Sequence, residues 1–180
     1  MNYSKICNLS LDLDLSSLKG KEVNSYVGLG DGMLRYYLSA DYTEIFSKFP
    51  QFTKIQPKIR LIAEIDGSGS IGPHVDHGPN VVLNWYFKSN QATTLFYRKK
   101  EDSVPFKAEG EDTANLYNNS DIELIDSFTA KDGDVYLLDV SKVHAVSSPK
   151  PGNRLFLSYS WENYTFDEIL ESIRLYSERN

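Results

Sequence analysis

The sequence predicts a mainly β fold of two packed sheets, a jelly roll with helices confined to its flanks. Three observations carry that expectation. Six segments between residues 58 and 161 are short and rich in Val, Leu, Ile, Tyr and Phe, the residues that suit a pleated, half-buried surface. Gly, Asp, Asn and Pro clusters separate them, as turn chemistry requires. Helical periodicity occurs only outside this stretch, at 40–49 and 166–178, so strands form the body of the domain. A β-sandwich without any metal site has the same pattern and stands as the architectural alternative.

The chain opens on a stretch in which Leu9, Leu11, Leu13 and Leu15 share one parity, the period-two pattern of a half-buried strand. Gly28-Leu29-Gly30-Asp31-Gly32 is a turn cluster. It is not a phosphate loop, because neither G-x-G-x-x-G nor Gly-Lys-Ser/Thr is present. Ala40 to Phe49 predicts a short helix, with Tyr42, Ile45, Phe46 and Phe49 at helical spacing and Pro50 ending it.

From residue 58 the pattern turns to strands. Ile59, Leu61, Ala63 and Ile65 alternate with Arg60, Ile62 and Glu64, and Asp66 to Ser70 reads as a flexible loop. Val81–Lys88, Thr93–Arg98, Ile122–Phe128, Val135–Val140 and Leu155–Trp161 follow as strands, with a tight turn at Asp132-Gly133. Residues 99–121 are polar and contain Gly, Pro and Asn, which predicts a long loop. Phe166–Glu178 reads as a closing amphipathic helix with Phe166, Ile169, Leu170, Ile173 and Tyr176 on one face. Thr165 and Glu168 have the spacing of a capping box at its start.

Composition bounds the function classes. A chain of 180 residues fits one domain, divided into an N-terminal support region at 1–57, a jelly-roll core at 58–162 and a C-terminal helix at 163–180. The single cysteine, Cys7, cannot form an internal disulfide and is expected to be inert. Two aspartates interrupt the apolar character of MNYSKICNLSLDLDL, which is unlike a signal peptide, and no apolar run approaches the ~20 residues of a membrane span. The expected location is the cytoplasm, or the host cytoplasm for a virus-encoded protein. A net charge of −6 and pI near 5.1 argue against nonspecific nucleic-acid binding. Tyr97-Arg98-Lys99-Lys100 is the one basic run, read as a solvated strand end. Oligomeric state is not legible.

Only three histidines are present: His74, His77 and His144. In an extended segment His74 and Asp76 point the same way, so the two can grip one metal ion. A third ligand then has to come from elsewhere, and His144 is the only distant histidine. Two histidines and one carboxylate on one side of a metal leave the other side open, the arrangement of non-haem Fe(II) oxygenases. Structural zinc prefers four ligands and thiolates, which one cysteine cannot supply. His-x-Asp alone also occurs as a surface turn, here beside Gly72 and Pro73. His77 is expected to face away from the metal, exposed or at one remove from it. Asp134 and Asp139 are expected to order turns.

With Gly133-Asp134 opening the strand before His144, and Arg154 opening the last strand ten residues beyond it, residues 58–162 resemble the 2-oxoglutarate/Fe(II)-dependent dioxygenase superfamily. Small prolyl-hydroxylase-like and phage-encoded members look closest. The resemblance implies a double-stranded β-helix, the jelly roll already predicted. It implies Fe(II) held by His74, Asp76 and His144, with 2-oxoglutarate and O2 as co-substrates. Arg154 would bind the distal carboxylate of 2-oxoglutarate. Its planar fork suits that role, and its charge in an otherwise apolar strand needs a partner. Asn84 and Tyr86, on one face of Val81–Lys88, are implied co-substrate contacts, with Ser158 and Tyr97 as further candidates. The implied reaction is hydroxylation of a C–H bond with release of succinate and CO2; an intact Asp76 is compatible with this, since halogenases of the superfamily usually lack that carboxylate. The substrate, a protein residue or a small molecule, is not legible. The loops at 66–73 and 99–121 are expected to flank the site mouth. Two rival functions fit the same strands: a cupin-like metalloprotein that does not use 2-oxoglutarate, and a non-enzymatic β-sandwich binding module.

Overall fold

Alternation along the strands becomes two antiparallel sheets facing one another. The computed structural model describes residues 1–10, 21–23, 33–38, 43–47, 49–66, 70–107, 114–148 and 152–179. The strands are β1 (Tyr3–Asn8), β2 (Lys21–Val23), β3 (Met33–Leu38), β4 (Ile59–Asp66), β5 (Ile71–Asp76), β6 (Val81–Lys88), β7 (Thr93–Lys99), β8 (Ala114–Leu116), β9 (Ile122–Thr129), β10 (Asp134–Asp139), β11 (Val143–Ser147) and β12 (Arg154–Trp161). The helices are α1 (Thr43–Phe46) and α2 (Phe166–Ser177). Among the described residues the larger sheet runs β1-β10-β6-β12-β4-β3-β2 and the smaller β8-β5-β11-β7-β9. This is the predicted mainly β, jelly-roll architecture.

The middle of the larger sheet is buried on both faces, which is why β6 and β10 are almost continuously apolar. On its outer face Ile62, Leu83, Trp85, Leu137, Leu157 and Trp161 pack against Phe46, Phe49 and Phe52 and against α2. The α2 contribution is Phe166, Ile169, Leu170 and Ile173, four of the five residues expected on that face, while Tyr176 is half-buried. Fully burying each such side chain contributes roughly 1.5–3 kcal/mol. Thr165 Oγ1 accepts from the Glu168 backbone N–H and Glu168 returns a bond to the Thr165 N–H, so the capping box is present.

On the inner face, Val82, Tyr86, Tyr136 and Leu138 meet Phe96 and Phe128 of the smaller sheet. Tyr3 stacks with Phe96 and packs on Phe128 and Tyr136, which closes the sandwich at the β1/β9 end. β1 is anchored there by buried Asp134, which pairs with Lys5 at 2.6 Å and accepts from Asn8 at 2.8 Å and the Lys131 N–H at 3.0 Å. Burial works against the Asp134 carboxylate, but these partners outweigh it and hold its pKa below the usual range. Gly133 has a φ of +86°, and a Cβ there would lie 2.8 Å from the Leu9 carbonyl, so only glycine suits this turn.

Several expectations need correction. The helix expected over Ala40–Phe49 is limited to Thr43–Phe46; residues 40–42 lie outside the described residues. Phe49 and Phe52 reach the core from irregular chain. Of the strand expected at Leu9–Leu15, Leu9 follows β1 and the remainder lies outside the described residues, as does the turn cluster at 28–32. The loop at 66–73 gives way to β5 from Ile71, and the loop at 99–121 contains β8 and a 3-10 turn at Asn119–Asp121. His144 lies inside β11, a strand absent from the six expected between residues 58 and 161. Among the described residues no helix is long and apolar enough to cross a membrane.

Candidate metal centre

Strand pairing brings the two histidines together. β11 pairs antiparallel with β5, and His144 stands directly opposite His74. Two residues along β5 places Asp76 on the same face. One donor atom from each of His74, Asp76 and His144 lies within 4.8 Å of the others. The histidine rings are 4.2 Å apart at an interplanar angle of 49°, and His74 Nε2 is 3.3 Å from Asp76 Oδ1. Both histidines are buried.

Local geometry sets which nitrogen faces the centre. His74 Nδ1 is 2.7 Å from the Gly72 carbonyl and His144 Nδ1 is 3.0 Å from the Lys142 carbonyl. A carbonyl only accepts, so each Nδ1 carries a proton and each neutral ring keeps its lone pair on Nε2. On His74 that lone pair faces a carboxylate oxygen at 3.3 Å. Two acceptors in that position need a positive centre between them: a metal ion or, without one, a second proton that makes the His74 ring cationic and lets Nε2 donate to Asp76. Burial and the neighbouring His74 charge push the His144 pKa down to about 4, against which Asp76 acts more weakly. His144 is therefore neutral at physiological pH, as a metal ligand has to be. Burial disfavours the Asp76 carboxylate, but the hydrogen bond from His74 and the charges of His144, His74 and His77 outweigh it and keep its pKa below the usual carboxylate range.

The centre forms part of the wall of a cavity of about 210 Å³ between the sheets. Arg154, Asn84, Tyr86 and Ser158 line the same cavity, and all four are buried. Ser158 stands opposite Asn84 in the β12–β6 pair. The Arg154 guanidinium lies 5.1 Å from the Tyr86 ring centroid and 5.0 Å from that of Phe156. It donates to the Tyr86 hydroxyl at 3.4 Å, and Asn84 Nδ2 approaches the same oxygen at 3.5 Å. The phenol proton is thus left for a further acceptor. Arg154 Nε and Asn84 Oδ1 are buried without hydrogen-bond partners, and among the described residues no carboxylate pairs with Arg154. A buried guanidinium without a carboxylate partner is costly, and an anion at this end of the cavity would offset that cost. The donor set fits a divalent metal at one end and a carboxylate at the other.

Other candidates fall elsewhere. Tyr97 packs with Tyr117, Ile122 and Val143, in a cluster separate from the one its neighbour Phe96 joins, and does not line the cavity. Period two puts Phe96 inside and Tyr97 outside. His77 is half-buried just past the end of β5. Asp139 accepts from the Ser141 N–H and hydroxyl and orders the turn into β11. In the basic run, Arg98 pairs with Glu123, Lys99 sits over Tyr117 and Lys100 donates to the Ser120 carbonyl. Phe96, which packs on His144 at 6.3 Å, and the lining residues Ile71, Thr94, Val146 and Phe156 are not among the sequence candidates. Parity with His144 and Arg154 along their strands was the available signal for Val146 and Phe156.

No protein-family model matches the chain, and no curated protein matches it. Solved structures resemble it at low identity. An oxidoreductase of the 2OG-Fe(II) oxygenase family from Burkholderia pseudomallei is 11% identical with a TM-score of 0.49, over 83% of this chain and 76% of that one. The Escherichia coli ribosomal oxygenase YcfD, solved with cobalt and 2-oxoglutarate, is 15% identical with a TM-score of 0.41, over 82% of this chain and 36% of that one. Bacillus subtilis oxalate decarboxylase OxdC is 12% identical with a TM-score of 0.41, over 84% and 30%. The chain thus spans about a third of the length of the last two. Identities this low, with TM-scores below 0.5, assign neither a family nor a reaction to this chain.

Proposed function

We propose that this protein is an Fe(II)- and 2-oxoglutarate-dependent dioxygenase that hydroxylates a C–H bond. One observation carries the proposal: three metal-ligating side chains converge in a cavity that also holds a buried guanidinium without a carboxylate partner among the described residues. His74, Asp76 and His144 would hold the metal on one side and leave its remaining positions open. Arg154 would pair with the distal carboxylate of 2-oxoglutarate, with Tyr86 donating its free proton and Asn84 and Ser158 lining the same site. When bound, the metal and co-substrate supply an O2-derived oxidant, with 2-oxoglutarate leaving as succinate and CO2.

The chain's own residues do the positioning. The carbonyls of Gly72 and Lys142 hold both imidazoles with Nε2 inward, which fixes tautomer and ring orientation together. The Asp76 carboxylate offsets part of the metal's charge. Phe96 packs beside His144 and helps keep water from that ring. Arg154 sets the co-substrate's direction by fixing its far end.

The test is succinate formation from 2-oxoglutarate by purified, Fe(II)-loaded protein under air. Succinate in excess of protein supports the proposal. Full iron occupancy without any succinate and without 2-oxoglutarate binding overturns its co-substrate half and leaves a metalloprotein of another kind.

A further inference from the structure

We infer that the cavity mouth takes an apolar side chain presented by an extended polypeptide, so that the substrate is a peptide or protein segment at an aliphatic or aromatic residue. This rests on the metal and co-substrate assignment of the same cavity.

The charged lining is confined to two places. His74, Asp76 and His144 form the metal centre, and Arg154 lies in the co-substrate cluster with Tyr86. The remaining lining includes Leu61, Ala63, Pro79, Val82 and Val140, with Ser160 as a neutral polar member. A substrate group with a fixed charge would lose its hydration there and find no counter-charge that is not already committed. A neutral apolar group loses nothing and gains burial.

The pattern continues beyond the cavity on both sheets. In antiparallel pairs, residues directly opposite one another share a face. On the larger sheet, Asn84 is opposite Ser158, Ser158 opposite Leu61, and Leu61 opposite Leu38. Leu38 is 38% exposed, and Ile59, opposite cavity-lining Ser160, is 37% exposed. On the smaller sheet, His144 is opposite His74, His74 opposite Leu116, and Leu116 opposite Phe106. Phe106 is 44% exposed. Both rows start at the buried site and end on exposed apolar residues on the side away from the Tyr3 closure, on β3 beside the outermost strand β2 of the larger sheet and next to edge strand β8 of the smaller. A molecule that only filled the 210 Å³ cavity would not reach those outer residues. An extended chain, with one side chain in the cavity and neighbours along the rows, covers them, and alternate pockets between strands are how extended peptides are read.

The experiment is calorimetric titration of anaerobic, Fe(II)- and 2-oxoglutarate-loaded protein with the blocked pentapeptide acetyl-Gly-Gly-Leu-Gly-Gly-amide. The same peptide with Lys or Glu at the centre, and N-acetyl-leucine amide, are run beside it. The Leu peptide is expected to bind about tenfold or more tighter than either charged peptide, the scale of one buried aliphatic side chain. It should also bind tighter than the single blocked residue. Leu38→Ser and Phe106→Ser, at the outer ends of the two rows, should weaken the Leu peptide while leaving 2-oxoglutarate affinity unchanged. Equal or tighter binding of the charged peptides, indifference to both row-end variants, or equal binding of N-acetyl-leucine amide overturns the inference with the function intact. Failure of 2-oxoglutarate itself to bind overturns the function first and this inference with it.

Discussion

His144 and His74 face each other across the β11–β5 pair with ring centroids 4.2 Å apart, each with its Nδ1 bound to the carbonyl two residues earlier in the chain. The repeated device aims both Nε2 atoms inward, so the two histidines act as one unit. His74→Ala or His144→Ala should each lower Fe(II) affinity by more than about 100-fold, since loss of a ligand exceeds the loss of an outer partner. Metal content after dialysis and competition with a chelator measures it. Wild-type affinity in both variants would remove the centre from the account.

Acid should destabilise the metal-free protein through His144. Its pKa is about 4 in the fold, against an ordinary value near 6.5. The folded state therefore binds fewer protons than the unfolded one between those values. The stabilisation is whole above about pH 6.5 and is lost as pH falls towards 4, by about 3 kcal/mol in total. Asp76, also depressed, adds a loss in the same direction at lower pH. Denaturant midpoints of the apo protein between pH 7 and pH 4 check this. His144→Phe should flatten the upper part of that slope, and an unchanged slope would contradict the assignment.

Tyr86→Phe removes the hydroxyl that accepts from Arg154 at 3.4 Å and holds a proton for a further partner. With a charged partner, one hydrogen bond is worth about 1.5–3 kcal/mol. The expected result is 2-oxoglutarate affinity lower by about tenfold to 100-fold, with Fe(II) affinity unchanged. A fall in metal affinity alone would place Tyr86 in a different role.

Thr165→Ala serves as a control remote from the chemistry. It removes the cap that accepts from Glu168 N–H at 3.3 Å and loosens α2 over the outer face of the larger sheet. Stability should fall by about 1 kcal/mol, measured by denaturant unfolding, with metal and 2-oxoglutarate affinities unaltered.

What was legible in the sequence divides along physical lines. Strands β4, β6, β7, β9, β10 and β12 agree with their alternation and apolar runs to within a residue or so, and α2 with its capping box and apolar face. β5 was hidden because Gly72 and Pro73 interrupt it, and both weaken a strand pattern. β11 was hidden because the chain leaves one sheet at Asp139 and joins the other at Val143, and side-chain pattern does not record such a switch. β1 escaped notice through the bulge between Lys5 and Cys7, which breaks the period of two. The helix expected at 40–49 rested on aromatic spacing that irregular chain satisfies equally well. At the candidate site, residue type and parity along one strand were enough to group His74 with Asp76 and Asn84 with Tyr86. The approach of His144 to His74, and of Arg154 to Tyr86, depends on sheet order, which lies beyond local pattern.

The measurement that bears most directly on the central claim is an anaerobic calorimetric titration of 2-oxoglutarate into Fe(II)-loaded protein, metal-free protein and Arg154→Gln. One equivalent should bind the loaded protein. Binding should be lost without metal, and should weaken by about 100-fold or more in Arg154→Gln, since a buried charge loses its partner, while that variant keeps its iron. Iron-loaded protein that binds no 2-oxoglutarate, or binds it equally well without Arg154, contradicts the account.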